Sequence, residues 1–328
     1  MLQAKQNYRL QLYITVLSVV LFIAKIIAYY LTNSLAILSD ALESIVNVVA
    51  GFIGLYALYI AAKPKDIEHP YGHGKAEFIS AAVEGTLIIA SGILILYQTI
   101  QSIFNNKPIE ALDIGLILVA ITAIINFIAG SICLNIGRKN NSLALISSGK
   151  HLRIDTYSTL GIIAGLLLMY FSKLFWLDKI FAALISLLIL FNGYKILRAS
   201  LAGIMDEADM ELLNKLVLIL NKNRRENWID LHNLRVIKYG STLHVDCHLT
   251  VPWYLNVHEA HKEIDALSDL IKKEFGNAIE LFVHTDGCLD FSCPICIKTD
   301  CTKRLHPFNK KIEWTLKNIV SNQKHHAN

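Results

Sequence analysis

Residues 35–51 read LAILSDALESIVNVVAG, an apolar run interrupted by Asp40, Glu43 and Asn47. In a helix the offsets i, i+3 and i+7 put these three side chains on one face. Residues 146–161, ISSGKHLRIDTYSTLG, repeat the device, with His151 and Asp155 at i and i+4 in a second apolar run. His151 stands about nine residues, or roughly 13 Å of helix, inside its span. That is near mid-bilayer, where ionisable groups are costly and mark an ion or proton path. Carboxylate, amide and imidazole donors from two helices suit one four-coordinate divalent metal such as zinc, and are too few for a calcium cage. Polar packing between helices is the plainer use of any one of these residues. A matched set on two faces argues against it, with Asp40 in a supporting role.

Working outward, six apolar stretches near 9–31, 34–61, 76–104, 112–136, 143–171 and 175–198 reach the roughly 20 residues that span a hydrocarbon core. Only 18% of the 328 residues are charged, against about a quarter in soluble domains, and the charges concentrate after Met205. The chain therefore reads as a membrane domain over 1–204 followed by soluble segments over 205–287 and 288–328. Lys5, Arg9, Lys63, Lys65, Lys75, Arg138, Lys139, Lys195 and Arg198 fall on one side of the bundle. The positive-inside bias makes that side, and both termini, cytoplasmic. The polar opening MLQAKQNYRLQLY has no secretory h-region. A multi-pass cell-membrane protein in contact with lipid is expected, and nothing suggests nucleic acid.

From Asp206 the pattern is helix, hairpin, amphipathic helix ending at Gly276, and third strand, a small α+β layer with helices on one face. A domain this small is marginal alone and often dimerises. Its tail carries Cys288, Cys293, Cys296 and Cys301 as C-x4-C-x2-C-x4-C. That pattern suits either a four-cysteine zinc site or reduced thiols packed on the domain. Cys133 and Cys247 read as packing residues, His244 and His258 as surface residues. The link KPKDIEHPYGHGKAE, residues 63–77, gathers Asp66, His69 and His73 around Gly72 and Gly74. It is either a metal site at the membrane edge or a solvated loop.

The HPYGHGKAE link, the SDALESIVN and HLRID helices and the order of domains together resemble the cation diffusion facilitator family, from the first span to about Asp286. The resemblance implies a mainly α membrane protein of six transmembrane helices with a ferredoxin-like (metallochaperone-like) αββαβ cytoplasmic domain. It implies a homodimer formed through that domain, in a bacterial inner membrane. The protein would be a secondary transporter, not an enzyme, exporting divalent metal from the cytoplasm with protons as counter-ion. The family's transport site maps onto Glu43, Asn47, His151 and Asp155, its link site onto Asp66, His69 and His73. Its cytoplasmic-domain site maps onto His232, His248, His261, His284 and Asp286, and a charge pair locking the two domains onto Lys75 and Asp206.

The family more often places Asp or His and then Asp on span two, where this chain has Glu43 and neutral Asn47. Two carboxylates still balance one divalent ion. Zinc leads, with iron, manganese, cobalt and cadmium open, because affinity order alone does not set selectivity. His151 is the expected titrating group, since metal must displace protons from its ligands. The cytoplasmic histidines would sense free metal and tighten the dimer. A membrane metalloenzyme is disfavoured by the lack of HExxH. A membrane metal sensor would differ in moving no ion.

Overall fold

The computed structural model describes residues 2–32, 35–104, 112–172, 176–240, 242–276 and 278–327. The chain divides into two compact units, Met1–Met205 and Asp206–Asn328. Among the described residues the first unit holds the helices α1 (Leu2–Thr32), α2 (Leu35–Ala61), α3 (Ala76–Phe104), α4 (Leu112–Lys139), α5 (Leu143–Ser172) and α6 (Trp176–Ile204). At 1.5 Å per residue each is about 40 Å long, enough to cross a bilayer and project beyond it. Five of them carry a described stretch apolar enough to cross a membrane, in α1, α2, α3, α4 and α6. The exception is α5, whose first turns carry Lys150, His151, Arg153 and Asp155.

Two devices position α5. Glu77 on α3 accepts from Ser142 Oγ and from the Ala144 N–H at 3.4 Å. An anion is thereby set against the helix N-terminus, where the backbone dipole favours it. Gly130 on α4 then meets Gly149 on α5, and a Cβ added to either would stand 2.9 Å from the other's carbonyl oxygen. Only glycine permits that approach, the usual small-residue solution to helix crossing in lipid. The crossing lies two residues before His151.

The second unit runs α7 (Met210–Lys222), β1 (Asp230–Tyr239), β2 (Thr242–Val251), α8 (Val257–Phe275), β3 (Ile279–Gly287), a 3-10 turn (Asp290–Ile295) and a short α9 (Leu316–Ile319). Asp209 caps α7, and Asn256 with Glu259 forms a capping box on α8. The sheet order is β1-β2-β3, with β1 antiparallel and β3 parallel to β2. Strand alternation separates two faces. Leu243, Val245, Cys247, Leu249 and Val251 enter the core with Leu216, Leu220, Leu267 and Ile271 from α7 and α8. The alternate positions, including His248, belong to the opposite face.

Residues 288–328, expected as a separate tail, belong to this unit. Trp314 and Ile319 are buried in its core. Asn221 donates to the Trp314 carbonyl at 2.7 Å and accepts its N–H at 3.1 Å, while the Arg224 guanidinium lies 4.2 Å from the Trp314 ring centroid. β1 is irregular between His232 and Arg235, and the Asn233 N–H there donates to Ser321 O at 2.7 Å. Trp314→Ala should destabilise the second unit by about 3–5 kcal/mol. This would be read as a lower unfolding temperature of the purified chain and faster proteolysis within residues 206–328. Unchanged proteolysis would mean that the tail is an appendage.

Candidate metal centres

The α2 and α5 faces meet as their spacing requires. Asn47, His151 and Asp155 are all buried. Asn47 Nδ2 donates to Asp155 Oδ2 across the two helices, and His151 Nε2 lies 3.5 Å from Asp155 Oδ1. Asn47 Oδ1 is left buried without a hydrogen-bond partner. Glu43 and Asp40 belong to the same helix, but their side chains lie outside the described residues.

Two further buried ionisable residues on α3 and α1 had not been singled out from the sequence. Glu84 on α3 is buried with Oε1 3.5 Å from His151 Nδ1, so the imidazole stands between two carboxylates. Lys25 on α1 is buried and donates to Ser44 Oγ at 2.9 Å, one residue from Glu43. A cavity lined by Gln11, Ser18, Asn47, Glu84, Ser148 and His151 adjoins these groups. Gln11 Oε1 and Ser148 Oγ in it also lack hydrogen-bond partners. Orphaned buried polar atoms cost about 1–3 kcal/mol each, so a cluster of them argues for an ion with its waters.

In the link, the ligand atoms of Asp66, His69 and His73 lie within 4.8 Å of one another. The His69 N–H donates to Asp66 Oδ1 at 2.7 Å and holds that carboxyl below its usual range, while His73 Nε2 is 3.4 Å from Oδ2. Gly72, at φ 90°, supplies the left-handed turn that folds His73 back. Lys75 donates to the Ile204 carbonyl at 3.4 Å. Asp206, with φ 56°, opens the second unit.

On the sheet, strand register builds the third group. His232 faces His248 across β1 and β2, and His248 faces His284 across β2 and β3. Asp286 Oδ2 lies 3.5 Å from His248 Nδ1 and 3.6 Å from His232 Nε2, and Oδ1 lies 3.7 Å from His284 Nε2. Burial, reinforced by His232 and His284, pushes His248 below its usual pKa and favours the neutral, metal-binding imidazole. His261 is not brought in: it is exposed on α8, 3.7 Å from Asp265.

Asp230, Lys324 and His325 complete the surroundings of this group, and none had been singled out from the sequence. Burial alone would raise the Asp230 pKa, but the His232 imidazole 3.5 Å away and hydrogen bonds from His325 outweigh it and hold the carboxyl far below its usual range. A carboxylate behind a ligand histidine fixes ring orientation and basicity. Lys324 Nζ reaches Asp286 Oδ1 at 3.4 Å. His244, expected at the surface, is instead buried, with Nδ1 3.3 Å from Glu280 Oε2 and an edge contact to Tyr239. Cys133 and Cys247 are buried, and burial pushes the Cys247 thiol up to about 12. Cys288, Cys293, Cys296 and Cys301 line one pocket as free thiols.

Glu84→Gln keeps the shape of the membrane pocket and removes a charge beside His151. It should weaken metal binding there about 10- to 100-fold, while the sheet histidines keep their affinity. Competitive titration with a chromophoric chelator separates the two classes of site. An unchanged membrane class would mean that Glu84 only packs.

Residues 12–205 match the cation efflux transmembrane domain, and residues 208–288 match the cytoplasmic domain of cation efflux proteins. The chain is 26% identical over 263 residues to the cation-efflux pump FieF of Shewanella oneidensis, covering 80% of this chain and 88% of that one. It is 28% identical over 255 residues to the manganese efflux system protein MneS of Bacillus subtilis, covering 78% and 87%. It is 27% identical over 329 residues to metal tolerance protein C1 of Arabidopsis thaliana, covering 92% and 68%. The apolar helices and the matched transmembrane domain make it a multi-pass membrane protein. Matched in order along both of its units, the chain belongs to the cation diffusion facilitator family of metal cation efflux transporters.

Proposed function

We propose that the protein exports a divalent transition metal, zinc first, from the cytoplasm in exchange for protons by alternating access. The observation that carries this reading is the buried meeting of Asn47, His151, Asp155 and Glu84, with Asn47 Oδ1 lacking a partner. Metal binds only the deprotonated donors, so protons and metal compete for one pocket and a proton gradient can drive release. Glu43 completes the ligand set and Asp40 supports it. The link residues Asp66, His69 and His73 hold metal at the cytoplasmic edge. His232, His248, His284 and Asp286 sense free metal and, in a homodimer formed through the second unit, shift the population of transport-competent states. His261, exposed on α8, is placed to meet a second chain. Lys75 and Asp206 act as a positional charge pair. Both termini face the cytoplasm of a bacterial cell, with the bundle in its inner membrane.

A specific observation favours manganese as the second reading. With Glu84 and Asp155 on either side of His151, the donors are richer in oxygen than the sequence suggested, and harder oxygen donors suit manganese. The manganese efflux protein among the similar chains points the same way.

Flux into liposomes under an imposed proton gradient, with zinc, manganese, iron, cobalt and cadmium in turn, tests both. Zinc should move, stop when the gradient is collapsed, and fall at least about 10- to 100-fold in His151→Ala. Manganese outrunning zinc would replace the zinc reading. Binding without flux of any metal would make the protein a sensor.

A further inference from the structure

We propose that Cys288, Cys293, Cys296 and Cys301 form a tetrathiolate zinc site that fastens the end of the chain to the second unit. Neither the transport cycle nor the sheet histidines use these residues, and only Cys288 falls within the region matched to the cytoplasmic domain.

The four cysteines come from three local structures that converge on one pocket. Cys288 follows β3 directly, and its N–H donates to Val251 O at 2.9 Å, so its position is fixed by the sheet. Cys293 lies in the 3-10 turn and Cys296 caps it. Cys301 lies beyond the next turn. Arg304 closes this loop without touching a thiol, donating to the carbonyls of Cys293 at 2.8 Å, Cys296 at 3.0 Å and Lys298 at 2.6 Å.

Two of the four sulfurs are met by hydrogen-bond donors. The Leu305 N–H points at Cys293 Sγ at 3.5 Å, and the Tyr254 hydroxyl at Cys301 Sγ at 3.6 Å. Such donors are the outer-shell partners a metal–thiolate site requires. Four thiolates on one divalent ion carry two net negative charges, and Lys298, Lys303 and Arg304 line the same pocket.

Thiolate donors select zinc over the harder divalent ions. No three of the sulfurs lie mutually within 4.8 Å. Tetrahedral zinc with bonds of about 2.3 Å would draw them to roughly 3.8 Å apart, within a loop held by Arg304. The unit matches a cytoplasmic domain, a compartment that keeps thiols reduced, so a disulfide is the weaker alternative. The fastened segment carries Trp314 into the core and Lys324 and His325 to Asp286 and Asp230.

X-ray absorption on the full chain, purified under reducing conditions and loaded with one equivalent of zinc, tests this. A shell of sulfur at about 2.3 Å is expected. It should survive in a His232→Ala, His248→Ala double variant and vanish in a Cys293→Ser, Cys296→Ser double variant. To keep the test independent of folding in the cysteine variant, wild-type alkylation is mapped with and without zinc. Zinc should slow labelling of all four thiols at least about tenfold. A purely nitrogen and oxygen shell, labelling unaffected by zinc, or a Cys293–Cys296 disulfide in the reduced preparation would each overturn the proposal.

Discussion

The hydrogen bond from Asn47 to Asp155 ties α2 to α5 where the first unit is most polar and most buried. Such bonds between membrane helices contribute only about 0.6 kcal/mol on average, because alternative partners exist in the unfolded reference state. A tie that weak fixes the resting geometry without locking it. By contrast, α4 and α5 are joined backbone to backbone through Gly130 and Gly149, and α3 and α6 through Gly85 and Gly193. The glycine-packed pairs are close and rigid, while the polar contact between α2 and α5 is breakable, a combination that suits the proposed alternating access. The same contact uses the Asn47 amide nitrogen on Asp155 and leaves its oxygen without a partner.

The second unit solves a different problem with one sheet. Alternation sends Val245, Cys247 and Leu249 into the core and leaves His248, His284 and Asp286 on the other face, where register lines them up with His232. The end of the chain serves both faces. Trp314 fills the core, and Lys324 and His325 reach the acidic groups beside the histidines. Stability of the tail and the surroundings of the histidine group are therefore coupled through one segment.

Where polar groups share a helix, spacing pointed to a shared face: His151 and Asp155 at i, i+4 on α5 lie together, and Asn47 of α2 bonds to Asp155. Lys25 escaped because a lone charge in an apolar run has no period, and Glu84 because its partner at helical spacing, Glu77, sits at the start of α3 beside the polar link. Their roles come from the packing of α3 and α1, which periodicity does not encode. The helix order and the hairpin were legible from alternation and turn residues. The contact of His325 with Asp230 joins residues far apart in the chain, and the burial of His244 depends on Tyr239 and Glu280 at its sides. Trp314 sits in a segment with no regular pattern, so its place in the core could not be read from spacing.

The proposed transport cycle assigns the moving ion to the α2–α5 pocket and not to the sheet histidines. Zinc flux into proteoliposomes under a fixed proton gradient, compared between Asp155→Ala and His232→Ala with His248→Ala, tests it most directly. Asp155→Ala should abolish flux, while the histidine double variant should still move zinc and lose only its response to zinc on the cytoplasmic side. Flux at the wild-type rate in Asp155→Ala, or its complete loss in the histidine variant with the protein still folded, would contradict the account.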